Sequence, residues 1–198
     1  MKKMNLAHEG GMTLVETVVA VTVLVFAITG PMVLAYQSIR ATRDVRNELT
    51  ATHLASEAIE IIHNIRANNS TDDTTTSGTN WLNNISCSTG CIVDVTQQSN
   101  PNVWNNNALR ACTSCDNITS TQSRLYYNPT SGQYIQRNGG MPNGYELSPF
   151  RRVVRVVNTA GTPIATVTAT VYYRRNNGTE GNVTLVEEIY NWFPQTTP

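Results

Sequence analysis

The densest chemistry in this chain lies in four cysteines, Cys87, Cys91, Cys112 and Cys115. They read Cys-x3-Cys, then 20 intervening residues, then Cys-x2-Cys. The spacing loosely resembles a zinc ribbon. In an oxidising compartment, an even set of cysteines in a short stretch forms disulfides instead, and two bridges are the expectation. The spacing leaves their connectivity open. Cys112-Thr-Ser-Cys115 has no thioredoxin-like βαβ pattern around it, so no redox role is expected. Glu60-x-x-His63 is half of a di-iron helix motif, and the second copy that a site would need is absent from the sequence. Asp72-Asp73 could touch calcium, but it sits in a stretch that reads as a solvated loop. His53 and His63 are ten positions apart on one expected helix and make no site together. Neither a nucleophile elbow nor a phosphate-binding loop occurs. No catalytic set, metal or cofactor is therefore expected. Arg151, Arg152, Arg155, Arg174 and Arg175, with Tyr172 and Tyr173, could form a basic stripe for nucleic acid. The plainer reading is a wet sheet face.

Glu16 is chemically conspicuous for a different reason. It is the only charge between Met12 and Tyr36. An unpaired carboxylate in an apolar span costs several kcal/mol, so such a residue is a functional candidate. The span itself is 25 residues long, enough for a helix to cross a bilayer core of roughly 30 Å. A soluble buried helix would be expected to keep a polar face, and this one has none. Lys2 and Lys3 before it should stay cytoplasmic, which places the rest of the chain outside; Arg40, Arg43 and Arg46 pull weakly the other way. A secretory signal would carry a small-residue cleavage site after the run. Gly30-Pro31-Met32 fits that poorly, and the small residues Gly10 and Gly11 stand before the run instead.

The stretch Gly11-Met12-Thr13-Leu14-Val15-Glu16 closely resembles the type IV prepilin signature. The resemblance implies a leader of residues 1–11, cleaved after Gly11 by a prepilin peptidase that also methylates the new amine of Met12. It makes Glu16 the fifth residue of the mature chain. In a filament, Glu16 of one subunit would pair with the Met12 amine of its neighbour, leaving neither charge alone in an apolar core. The implied partners are other pilin subunits, the peptidase and methyltransferase, and an assembly platform in the membrane. The implied location is the cytoplasmic membrane, single-pass with the C-terminal head outside, and then an extracellular filament. The alternative is a membrane-anchored binding domain for a glycan, DNA or a host surface, not built into a filament.

Beyond the span the apolar pattern narrows to a stripe. Leu54, Ala58, Ile61 and Ile65 recur at helical spacing, widened by Ala51, Ala55, Ile59 and Ile62, while His53, Glu57, Glu60 and Asn64 fall mostly on the other side. One helix from Met12 to Ala67 is expected, with residues 12–38 apolar and 39–69 amphipathic. A kink or local melt is expected at Gly30-Pro31, and a stop at Asn68-Asn69-Ser70. Leu54-Ala55-x-Glu57-x-x-Glu60 resembles PilV-type minor pilins and I-type pseudopilins, as do Phe150-Arg-Arg-Val-Val-Arg155 and Tyr190-Asn-Trp192.

Residues 70–198 read as a β-rich head. Equal numbers of acidic and basic residues, 14 each, argue against a dedicated nucleic-acid binder. Charged residues make up only 14% of the chain, well below the roughly 25% of ordinary soluble domains. Asn and Thr fill the gap, as in many exported proteins. Strands are expected over 91–96, 124–127, 133–137, 150–157, 164–173 and 182–192. A turn at Asn128-Pro-Thr-Ser-Gly132 joins the second strand to the third, and the last two strands form a hairpin. Val167, Ala169, Val171 and Tyr173 alternate with Thr166, Thr168, Thr170 and Tyr172, so one face should be buried and the other wet. The fold class is α+β: an antiparallel sheet packed on the amphipathic half of the helix. This is also the layout of the pilin fold.

Overall fold

The computed structural model describes residues 13–72, 81–83, 85–94, 96, 109–112, 115, 120–137, 139–159 and 162–191. The chain divides into two compact units, one ending at Arg43 and one beginning at Asp44. A single helix, α1 (Leu14–Asp72), contributes to both.

In the first unit every described residue is exposed, from Leu14 at 80% to Phe26 at 73% and Tyr36 at 55%. The helix continues through Gly30-Pro31, so the expected melt does not occur there. Proline forfeits one backbone bond and costs about 3 kcal/mol in a helix interior. The strong helix formers Ala27, Met32, Leu34 and Ala35 flank that loss.

The second unit joins the rest of α1 to a seven-stranded antiparallel sheet. The strands are β1 (Cys87–Val93), β2 (Leu109–Ala111), β3 (Arg124–Tyr127), β4 (Tyr134–Gln136), β5 (Glu146–Asn158), β6 (Ile164–Arg174) and β7 (Glu180–Tyr190). β5 is the central strand. One edge pairs with β6, which pairs in turn with β7. The other edge is shared: β1 pairs near Val154 and Val156, and β3 pairs near Leu147 and Arg151. β2 then extends β1, and β4 extends β3.

The helix stripe is buried as its spacing predicts. Ala51, Leu54, Ala55, Ala58, Ile59, Ile61, Ile62 and Ile65 join one core with Phe150, Val154, Val156 and the inward residues of β6, Ala165 to Tyr173. Asn68-Asn69 does not end the helix, which runs on to Asp72. The amide of Asn69 donates to the carbonyls of Trp81 (3.2 Å) and Asn83 (2.8 Å). It thus anchors the returning chain instead of competing for its own backbone. β1 starts earlier than expected, at Cys87, and β2 was not anticipated; three residues are too few to show a period. The β3–β4 turn forms as its residues dictate, with Asn128 Oδ1 accepting from the amides of Thr130 (2.9 Å) and Ser131 (3.2 Å). In β7, Gly181 lies under the Tyr173 ring, where a Cβ would come within 2.7 Å of Tyr173 Cζ.

Candidate functional site

Three groups of residues could carry function: the N-terminal end of α1, the cysteines, and the charged groups of the sheet. Gly11 and Met12 lie outside the described residues. Glu16 is exposed in the first turn of α1. Its amide donates to Thr13 Oγ1 at 3.3 Å. Thr13 immediately precedes the helix, so Thr13-x-x-Glu16 has the spacing and one of the two bonds of a capping box. A carboxylate at this end also opposes the positive pole of the helix. This local role was legible as a threonine three residues before a glutamate, and the sequence reading overlooked it.

The rest of the apolar stretch conceals its polar atoms. Thr17 Oγ1 donates to the Leu14 carbonyl (2.7 Å), Thr22 Oγ1 to that of Val18 (2.6 Å), and Thr29 Oγ1 to that of Phe26 (3.3 Å). In an apolar medium such internal bonds are what a polar side chain requires. The most apolar window has a mean hydropathy of 2.4, and none of it is buried. Among the described residues this is the one helix long and apolar enough to cross a bilayer. At its far end the Arg40 guanidinium lies over the Tyr36 ring, 4.3 Å from the centroid, and hydrogen-bonds its hydroxyl.

The cysteines form two disulfides, Cys87–Cys91 and Cys112–Cys115, which settles the connectivity in favour of sequence neighbours. The first spans the register shift of β1 against β5. The second packs with Ile92 and Val153 into a small cluster on the sheet face away from α1, and Tyr172 rests on that cluster. Gly90 makes the approach possible. Its φ is +114°, and a Cβ there would lie 3.1 Å from Cys115 Cβ.

The structure splits the expected basic stripe between two faces. Arg152 and Tyr173 point to α1 and are buried, while Arg151, Arg155 and Tyr172 lie on the other face. The reason is the period of two along a strand: Arg152 shares the parity of Phe150, Val154 and Val156. Its guanidinium is fully buried. Nη1 donates to the Leu54 carbonyl and to Glu57 Oε2, both at 2.9 Å; Nη2 donates to the Val93 carbonyl at 2.8 Å and Nε to Gln136 Oε1 at 3.2 Å. Gln136 Nε2 completes the network by donating to the carbonyls of Gln122 (3.0 Å) and Arg152 (2.9 Å). Burial pulls the pKa of Arg152 below the ordinary arginine range, against the opposing charges of Glu57 and Asp94. One side chain therefore ties α1 to β1, β4 and β5. Sequence reasoning placed Glu57 on the outward side and missed this pair.

His63 Nε2 meets Glu187 Oε1 at 2.8 Å, joining α1 to β7. Asp44 Oδ1 accepts from the amide and side chain of Asn176 (2.9 and 3.0 Å), joining the first turn of this unit to the β6–β7 hairpin. Among the described residues, no three His, Cys, Asp or Glu converge as a metal site would require. The second aspartate of Asp72-Asp73 lies outside the described residues, and so does the side chain of the first. No protein-family model matches the chain, and neither a curated protein nor a solved structure is significantly similar to it.

Proposed function

We propose that the chain is a prepilin-like structural subunit, with the minor pilins and pseudopilins as its nearest kind. Its α+β layout is compatible with the pilin fold. It would be cleaved after Gly11 and anchored in the cytoplasmic membrane through α1. It would then be assembled into a type IV pilus or related pseudopilus by packing that helix against other subunits. The observation that carries this reading is the lone carboxylate of Glu16, fifth after Gly11, at the head of an exposed helix with no other charge before Arg40. An exposed apolar helix of this length needs a lipid or protein environment. In a bilayer or filament core Glu16 needs a cation, and the methylated amine of a neighbour's Met12 would supply one. The chemistry asked of the chain is assembly, not catalysis.

Intact-mass analysis and N-terminal peptide mapping of the membrane-extracted protein test this reading. The expected species begins at Met12 with a methylated amine. A chain that still begins at Met1 would overturn it and leave a membrane-anchored binding domain.

A further inference from the structure

The sheet face away from α1 carries a second arrangement, separate from the Glu16 end of α1. Arg124 on β3 and Arg151 on β5 are register partners, and Tyr172 on β6 is the partner of Arg151. Like charges placed directly opposite one another destabilise a sheet. The Arg124 Nε is buried without a hydrogen-bond partner. Neither of the ion pairs described above, His63–Glu187 and Arg152–Glu57, involves this group. Beside it lies a cleft of about 620 Å³ between the first half of β5 and the β6–β7 hairpin, lined by Leu147, Pro149, Arg151, Tyr172, Arg174 and Glu180 among others. That volume is in the range of small-ligand sites. Arg174 and Glu180 are register partners, yet they form no ion pair with each other.

We propose that this cleft binds an acidic carbohydrate. Arg151 and Arg174 present forked donors to carboxylate or sulfate groups. Tyr172, held from behind by the Cys112–Cys115 cluster, offers an amphipathic ring to the apolar face of a sugar. Glu180 accepts from sugar hydroxyls. The same lining fits nucleic acid less well. A DNA backbone offers Glu180 no hydroxyl donors of the kind a sugar carries, and Tyr173, the other ring at the cleft, is buried over Gly181 and leaves Tyr172 alone for stacking. The proposal does not depend on filament assembly.

The test is direct binding to the full chain in detergent micelles. The fluorescent probes are oligogalacturonate, a heparin-type sulfated oligosaccharide, a neutral malto-oligosaccharide and an oligothymidylate of matched charge. At least one acidic oligosaccharide should bind, and the neutral one should not. R151Q and R174Q should each weaken binding by about tenfold, as loss of one charged hydrogen-bonding group predicts. R110Q, outside the cleft lining, should change it by less than about twofold. R151Q should also leave the melting temperature unchanged or raise it by about 1–3 °C, because it relieves the pair with Arg124. Failure of both acidic sugars to bind overturns the proposal, as does tighter binding of the oligothymidylate. Equal sensitivity to R110Q, or a melting temperature several degrees lower in R151Q, overturns it as well.

Discussion

Arg152 shows how much one buried charge can organise. It reaches two elements that lie far apart in sequence, the Leu54 carbonyl 98 residues away and the Val93 carbonyl 59 residues away. Removing it would strand the buried acceptors of Leu54, Val93 and Gln136, whereas the half-exposed Glu57 could turn to water. Arg152→Met should therefore destabilise the sheet unit by about 3–5 kcal/mol in chemical denaturation, despite its good volume match. Arg152→Lys should recover only part of that loss, because an ammonium cannot reproduce the fork. Glu16 has two separable roles. Glu16→Gln keeps a residue suited to the third helical position but removes the charge, whereas Glu16→Ala removes both. If amine pairing governs assembly, both variants should be depleted from sheared filaments to a similar extent, as read by immunoblot. If capping governs it, Gln should assemble normally. The special place of Glu16 was legible because a charge in an apolar run stands out in any window. The inward turn of Arg152 was present in the alternation Phe150-x-Arg152-x-Val154, but a run of arginines drew attention to charge before parity.

At the scale of elements, the amphipathic half of α1 was fully readable. All eight stripe residues from Ala51 to Ile65 are buried, because a helical period is a local property of the chain. Ile62 is at 0% exposure, and Ile62→Ala should cost about 2–5 kcal/mol, measured as a shift in the denaturation midpoint without a change in slope. The β6–β7 hairpin was equally legible, since long alternating strands announce themselves. The three-residue β2 was not, and the end of α1 was missed because the fate of Asn69 depends on Trp81 and Asn83. The disulfides close short loops, with separations of four and three residues. Chain entropy then assigns each only about 2 kcal/mol. Reduction with dithiothreitol should lower the stability of the sheet unit by roughly that amount per bridge and leave it folded. Complete unfolding on reduction would show that the cluster beneath Tyr172 matters more than loop closure.

At the scale of the whole molecule, the two units have opposite requirements. The described residues up to Arg43 are all exposed, apolar ones included, whereas the unit from Asp44 has a core formed by the rest of α1 and a seven-stranded sheet. A chain lacking residues 1–43 should therefore be soluble without detergent and keep its β-rich circular dichroism. Aggregation of that fragment would mean that the apolar segment contributes to folding as well as to anchoring. The sequence by itself determined the apolar span and its lone carboxylate, the buried stripe of α1 and the two faces of β6. Each of these is a periodicity or an exception within a few turns of chain. Only the tertiary structure decided which cysteines join and which arginine is buried. It alone decided that β1 and β3 share one edge of β5, and that Arg124 faces Arg151 beside a cleft. Those outcomes rest on pairings between residues far apart in sequence, whose partners are chosen by packing and register, which no local window encodes.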